Sequence, residues 1–592
     1  MTSARLLDPA TARPAFLGVE RSATGRRWLG PTPDQDRRAE AIAQAAATPA
    51  ILAAILARRG VEAHEAAAFL APSLRDLMPD PSRLRDMDRA AERLRAAARN
   101  AERIAIFADY DVDGGASAAL LIAWLRAQGV AATLYIPDRI DEGYGPNVPA
   151  MRALGAEHDL ILCVDCGTLS FEPIAAAGCD VIVVDHHLGA EILPEALAVV
   201  NPNRQDEDGT LSYLCAAGVV FLLLVATNRL TRAEGAAPPD LMAMLDLVAL
   251  ATVADVAPLI GLNRAFVRQG LRIMAQRGRP GIAALADMAG AKGPPTAYTL
   301  GFVLGPRVNA GGRIGAADLG ARLLATESPD EAEALAERLH RLNAERREIE
   351  AAVLAAAEAQ IAARGDDGAP VVWAAGAGWH PGVVGIVAAR LKEAHGRPAV
   401  VMGFDGDAGK GSARSVAGVD LGSAVARLMR EGLIEKGGGH RMAAGLSLSA
   451  AQLGPAMERL GALVAAGGGA GAEARDLELD GLLSVGAATP ELAALIAAAG
   501  PYGAGSPAPR LVLAEARLAG LRRIGDGHLA LRLADTGQRQ IEAMLFRAFQ
   551  GPLGALLEAS VGARLHVAGR LERDDWGGRA KAKLHVEDVA PL

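Results

Sequence analysis

An α/β protein with a separate β-barrel at its C-terminal end is the architecture predicted by three features of this 592-residue chain. Between 104 and 200, short β-type runs alternate with Ala/Leu stretches of helical length, the pattern of a doubly wound parallel sheet. A long helical signature at 328–365 then separates this region from a second α/β stretch at 370–450. Beyond the Gly-rich Ala466–Gly471, short apolar runs bounded by Gly or Asp turns take over. At about 100–200 residues per domain, the length allows three to five domains with sizeable cores.

Residues 1–45 are polar and punctuated by Pro and Gly and read as an N-terminal extension; Pro49–Phe69 has helical spacing and forms a helical lead-in. The strands of the first sheet are expected at Ile104–Ala108, Ala131–Ile136, Leu160–Val164, Val181–Val184 and Ala198–Val200, with a helix at Ala116–Gln128. Ser328 is read as an N-cap, Pro329 as the first helical residue and Glu331 as the acid of a capping box. An apolar stripe at Leu335, Leu339, Leu342, Ile349 and Val353 follows. Ending at Gly365, such a helix is about 50 Å long and can join two domains across a cleft. The C-terminal strands, at Leu511–Leu513, Leu529–Leu533, Ile541–Leu545, Arg564–Val567 and Lys583–Val586 with one embedded helix, suit an OB-like barrel.

Hydrophobic residues make up 51% of the chain and aromatics only 4%, so the cores are built from small aliphatics. The net charge of −8 excludes a uniformly basic coat for wrapping duplex DNA, though not a local basic groove. Four cysteines, Cys163, Cys166, Cys179 and Cys215, are too few for a disulfide scaffold and fit a reducing compartment. Cys163 and Cys166, three apart on a strand, point to opposite faces and cannot easily close on one metal. Arg26-Arg27 is followed by no apolar segment, and the run Ala216–Ala226 is far short of a bilayer span. A cytoplasmic protein with no membrane association is expected, and the absence of a GxxxxGK[ST] loop argues against an ATP motor.

Asp109, Asp111 and Asp113 alternate directly after the first strand, and extended geometry there would aim all three carboxylates to one side. The third strand ends in Asp165 and the fourth in Asp185-His186-His187. In a doubly wound sheet the ligand site lies beyond the carboxyl ends of the strands, so these groups converge. Asp255, embedded in the apolar run Ala251–Pro258, is a further candidate, and a buried carboxylate needs a partner such as a metal cation. Mostly carboxylate ligands with one or two imidazoles favour two Mn²⁺ or Mg²⁺ ions, whose natural chemistry is phosphate-ester hydrolysis.

Asp109-Tyr-Asp-Val-Asp-Gly114, Val164-Asp-Cys-Gly-Thr168, Val184-Asp-His-His187 and Thr252-Val-Ala-Asp-Val256 resemble the four motifs of the DHH phosphoesterases. Gly437-Gly-Gly-His-Arg-Met-Ala-Ala-Gly445 is similar to the signature of the DHH-associated C-terminal domain. Pro137–Gly145, Gly305–Arg313, Trp379–Gly385 and Gly411–Val416 extend the resemblance to the RecJ-type single-strand-specific 5′-to-3′ exonucleases, over roughly residues 45–592. It implies a DHH catalytic domain with its helical lead-in at 46–327, a connecting helix at 328–365, a DHH-associated α/β domain at 366–465, a Gly-rich linker at 466–472 and an OB-like nucleic-acid-binding domain at 473–592.

The resemblance further implies that Asp111, Asp113, Asp165, His186 and Asp255 ligate the two ions, with Asp165 as the bridge. Asp109 is then a ligand or orienting acid, and His187 acts on the scissile phosphate. Arg139, Arg307, Asn309, Arg313, Arg414, Ser415 and His440 match positions that line the cleft and hold DNA phosphates, the terminal 5′-phosphate among them. On the barrel, Arg522, Arg523, Arg532, Arg539, Phe546, Arg547, Trp576 and Lys581 offer charge and stacking for a single strand, or a solvated strand face. The expected function is a metal-dependent 5′-to-3′ exonuclease on single-stranded DNA in repair and recombination. The implied protein is a monomer with a single-stranded-DNA-binding protein as partner. The alternatives are an oligonucleotide or cyclic-dinucleotide phosphodiesterase, for which the barrel is superfluous, and a non-catalytic single-stranded-DNA-binding scaffold, which has no need of mutually repelling carboxylates.

Overall fold

A computed structural model describes residues 13–139, 142–365, 368–467, 476–525, 527–575 and 580–592. Two compact units are present, Met78–Ala472 and a second built from both ends of the chain, Met1–Leu77 with Glu473–Leu592.

In the first unit, strands β1 (Ile104–Ala108), β2 (Ala132–Tyr135), β3 (Leu160–Val164), β4 (Asp180–Val184) and β5 (Ala198–Val200) form a parallel sheet in the order β2-β1-β3-β4-β5. Every residue of β1 and β3 is buried, as expected for near-continuous apolar strands covered on both faces. The order reverses at β1, so the crevice between β1 and β3 is the topological switch point where such sheets bind ligands. Helices α1 (Val112–Ala127), α2 (Val148–Glu157), α3 (Ala216–Ala233), α4 (Leu245–Ala254) and α5 (Gly305–Ile314) follow, with α3 and α4 packed on α1. By length and composition α3 could cross a membrane, but it is mostly buried within this domain.

The connecting helix, α6 (Pro329–Arg364), has 36 residues and so spans about 54 Å. Ser328 caps it, accepting from the Glu331 N–H at 3.3 Å. The expected capping box is not completed. The Glu331 carboxylate accepts instead from Thr326 Oγ1 at 2.6 Å and from Arg322, while the Ser328 N–H donates to Thr326 Oγ1. Helix α6 packs against α5 and against α7 (Pro381–His395) of the second α/β domain. Strands β6 (Val372–Ala377), β7 (Ala399–Asp405), β8 (Ala408–Arg414), β9 (Lys436–His440) and β10 (Ala443–Ser449) form that domain's sheet, ordered β9-β10-β8-β7-β6. A Cβ on Gly382 of α7 would come within 2.2 Å of the Arg313 carbonyl oxygen, so only glycine lets α5 and α7 meet here.

In the second unit, β11 (Leu511–Ile524), β12 (His528–Ala534), β13 (Gln540–Leu545), β14 (Arg564–Asp574) and β15 (Lys581–Pro591) close into a five-stranded barrel, because β11 pairs with both β12 and β14. A helix, Leu553–Ala559, lies between β13 and β14. The N-terminal residues belong to this unit. Trp28 is fully buried and its Nε1 donates to Asp588 Oδ2 at 3.0 Å; Ser22 Oγ donates to the same oxygen at 2.6 Å. Ile55 sits in the barrel core, and Arg59 pairs with Asp480 at 3.1 Å. The helical lead-in expected to start the catalytic domain therefore groups with the barrel up to Leu77, a pairing that local periodicity cannot reveal. Most of the 466–472 linker lies outside the described residues.

Candidate active site

The carboxylates gather at the switch point, but not by extended alternation. Asp111 is the N-cap of α1, its Oδ1 accepting from the N–H groups of Asp113 and Gly114 at 2.8 and 3.2 Å, so Asp113 is already in the first helical turn. A Cβ on Gly114 would meet the Asp109 carbonyl at 2.4 Å, and glycine thus lets α1 start directly behind β1. Asp113 is turned away from Asp109 and accepts from Ala216 and Ala217 N–H at 2.7 and 2.8 Å, at the positive end of α3. Asp165 leaves β3 in the left-handed region, φ 60°, a conformation that Asp tolerates.

Two acidic clusters result, Asp109 with Asp111 and Asp165, and Asp113 with Asp255 and His186. His186 Nε2 stands 3.3 Å from Asp165, 3.7 Å from Asp113 and 3.9 Å from Asp255, and a third group joins Asp165 with His186 and His187. The structure thus brings together all seven residues expected here. It adds Asp185, buried, whose carboxylate meets His187 Nδ1 at 2.8 Å and accepts from the backbone N–H groups of His186, His187 and Thr168. Asn201 and Asn203 donate to the carbonyls of His187 and His186, and the Tyr144 hydroxyl donates to the Asp165 carbonyl at 3.0 Å.

Burial, and then their mutual repulsion, raises the pKa of this acid set. Asp109 and Asp165 lie well above the usual carboxylate range, Asp113 is also raised, and Asp255 is pushed up to about 8. Asp185 goes the other way: burial opposes ionisation, but hydrogen bonds and the charge of His187 outweigh it. His187 is raised to about 9, since Asp185 overcomes the burial cost of the imidazolium.

A cavity of about 360 Å³ in the same unit is lined by Arg139, Pro381, Lys410, Ser412, Arg414 and the Gly439–Gly445 hairpin. Arg139 lies over the Tyr110 ring at 5.1 Å, and Arg414 donates to Ser412 Oγ at 2.6 Å. His440 is exposed at the end of β9, one residue beyond Gly439, and does not itself line this cavity. Ser415 does not face it: the residue is buried and its hydroxyl donates to the Val419 carbonyl, so its role is to shape the loop after β8. Asn309 Oδ1 accepts from Val112 N–H at 2.9 Å, orienting α1. Arg313 donates to the Gly382 carbonyl at 3.1 Å and is lowered to about 10 by burial, Arg139 and Arg346.

Residues 103–252 match the DHH family, N-terminal domain, residues 368–466 the DHHA1 domain and residues 479–588 the RecJ OB domain. The chain is 36% identical to the single-stranded-DNA-specific exonuclease RecJ of Salmonella typhimurium, over 92% of this chain and 96% of that one. It is 33% identical to the Bacillus subtilis protein of the same name, over 96% of this chain and 71% of that one. The chain belongs to the RecJ family of exonucleases. Among solved structures, RecJ from Thermus thermophilus in complex with Mn²⁺ superposes with a TM-score of 0.79 at 32% identity, covering 95% of this chain and 79% of that one. The same RecJ in complex with Mg²⁺ gives a TM-score of 0.73.

The residues present fit such ions. Asp109 Oδ1 and Asp165 Oδ1 are buried with no hydrogen-bond donor among the described residues, an arrangement that costs several kcal/mol per ionised group unless a cation takes the lone pairs. Hard oxygen donors plus imidazole suit Mn²⁺ and Mg²⁺, which Asp109, Asp111, Asp113, Asp165, His186 and Asp255 are placed to hold in this RecJ relative. The three buried cysteines nearby are raised by burial and stay thiols, and Cys163 and Cys166 contribute to the core. On the RecJ OB barrel, Arg522 and Arg532 line a cavity of about 350 Å³ with Met544 and Lys583. Arg523, Arg539 and Lys581 are instead paired with Glu558, Asp535 and Glu542, and Trp576 lies outside the described residues. Phe546 is half-exposed and packs edge-on to His528 and His585, and its neighbour Arg547 is exposed.

Proposed function

We propose that this protein hydrolyses single-stranded DNA from the 5′ end in a metal-dependent reaction, serving repair and recombination in the cytoplasm. The carboxylate–imidazole cluster at the switch point carries the reading, because two acidic clusters, one holding Asp165 and the other His186 and joined by the contact between those two residues, suit a two-ion phosphodiesterase. Bound there, the ions supply Lewis acidity and an activated water. Asp185 fixes the His187 ring, and the protonated imidazole so held can donate to a phosphate oxygen. Arg139 and Arg414, from the two α/β domains, face one cavity, where a 5′-phosphate held by both would set the register of the next ester over the carboxylates. A single-stranded-DNA-binding protein is the partner we infer, and the barrel's Arg522, Arg532 and Phe546 are the groups offered to a longer strand. The acting form we infer is a monomer.

Digestion of end-labelled single- and double-stranded DNA with Mn²⁺, Mg²⁺ or EDTA tests this. Metal-dependent release from the 5′ end of single strands is expected, and Asp165→Ala or His186→Ala should abolish it while leaving the protein folded. Equal digestion from both ends, or near-normal turnover by either variant, overturns the reading.

A further inference from the structure

Most surface arginines of the catalytic unit pair with a carboxylate: Arg93 with Asp180, Arg103 with Asp159, Arg322 with Glu331, Arg341 with Glu337. Others have no carboxylate within 4 Å among the described residues, and Arg139, Arg307, Arg313, Arg347 and Arg414 are among them. These five are neighbours in charge. Arg414 and Arg313 are both lowered, by burial first and by Arg139 second; Arg313 also feels Arg346, and Arg307 is lowered by burial, Arg347 and Arg346. Geometry joins them as well: Arg313 donates to the carbonyl of Gly382, next to Pro381 of the Arg139–Arg414 cavity, and Arg307, on the same helix α5, meets His340 of the connecting helix, which also carries Arg347. Arg346 is accounted for, since buried Glu350 holds it at 2.7 Å.

The Arg307–Arg347 branch is built rather than accidental. Arg307 donates through Nη1 to the Val303 carbonyl at 2.6 Å and through Nε to His340 Nδ1 at 3.4 Å, which leaves Nη2 without a partner among the described residues. His340 and Arg347 lie seven residues apart on α6, two turns along one face and about 10 Å apart. Arg347 is exposed, and Glu345 and Glu348 beside it form no ion pair with it. Residues 303–347 fall between the stretches matched to the DHH and DHHA1 domains, so neither match assigns them a role. Uncompensated guanidinium groups in a row repel one another, and a polyanion with regularly spaced phosphates is the ligand that relieves this.

We propose that Arg347, together with Arg307 held against His340, forms a second phosphate seat on the connecting helix, taking a backbone phosphate further along the strand whose terminal phosphate lies between Arg139 and Arg414. This rests on the single-strand reading above and adds a strand-length requirement to it. A short oligonucleotide fills only the first cavity; a longer one reaches both and is held in place while its terminal ester reacts.

Fluorescence anisotropy in EDTA, where no hydrolysis occurs, tests the seat with 5′-phosphorylated oligothymidylates of about 3 and about 15 nucleotides. Arg347→Ala should weaken the longer strand about tenfold and the shorter less than about twofold, with the slope of log K against log salt shallower by about 0.7 for the longer strand alone. Arg347→Lys should restore the slope, and Arg341→Ala, whose arginine is paired with Glu337, should change neither length. An equal effect of Arg347→Ala on both lengths, or none on the longer strand, overturns the seat. Wild-type digestion of the longer strand in Mn²⁺ is scored separately, and its failure overturns the exonuclease reading instead.

Discussion

Asp185 Oδ1 lies 2.8 Å from Nδ1 of His187, so Nδ1 carries the hydrogen, and Nε2 stands 3.4 Å from the Tyr144 hydroxyl. The same carboxylate accepts from both histidine backbone N–H groups, which makes one buried acid the anchor for two neighbouring imidazoles with different tasks. His186 turns to the acids and His187 to the Tyr144 side.

Asp185→Asn should therefore act through His187. The amide removes the charge that raises the imidazole to about 9, so the alkaline limb of kcat/KM should move toward pH 6.5 and kcat at pH 8 should fall about 10- to 100-fold. Metal affinity, followed by calorimetry with Mn²⁺, should change little; a parallel collapse of metal binding would assign Asp185 to the ligand set.

Stability of the metal-free protein should fall as pH rises. Asp255 moves from an unfolded value near 3.8 to about 8, and Asp109, Asp113 and Asp165 are raised as well. Between those values the folded state binds more protons than the unfolded chain, so this contribution is full below about pH 4 and is lost as pH climbs through about 8. Scanning calorimetry in EDTA should show the first unit melting lower at pH 8.5 than at pH 6, by about 2–4 °C for each kcal/mol lost, with the slope flattened in Asp165→Asn and abolished by Mn²⁺.

Arg414→Ala should lower activity on 5′-phosphorylated single strands far more than on unphosphorylated ones, by about 1.5–3 kcal/mol for one charge-assisted hydrogen bond, which is about 10- to 150-fold. Competition between the two end chemistries reads the ratio directly. The Arg414 guanidinium already donates to Ser412 Oγ, so Ser412→Ala should give a smaller loss of the same selectivity.

A protein spanning 78–467 should fold and cleave short oligonucleotides, whereas 13–467 should be poorly soluble. The second keeps Trp28 and Ile55 without the barrel residues that bury them. Comparing melting curves and light scattering of the two checks this, and a well-behaved 13–467 would show that the N-terminal segment folds independently.

Elements whose information is local were readable from the chain. Five-residue apolar runs ending in Asp gave β1 and β3 residue for residue, and Ser328 and Gly365 bracketed α6. Alternation misled at Asp109–Asp113, where Asp111 serves as a helix cap and the extended reading ends two residues early. Ser415 looked like a phosphate donor because hydroxyl chemistry is visible in sequence while burial is not. The anchoring by Asp185 and the joining of Trp28 to Asp588 depend on contacts that no period or spacing records.

That last contact orders events during synthesis. Trp28 and its acceptor are 560 residues apart, and at about 5–20 residues per second the ribosome needs roughly half a minute to two minutes to supply the second after the first. Throughout that interval the leading segment carries an unsatisfied indole and bare aliphatic helices, while everything from Met78 to Ala472 emerges with its own partners and can collapse at once. The catalytic body is thus completed before the barrel, and the segment around Trp28 waits longest for the contacts that bury it.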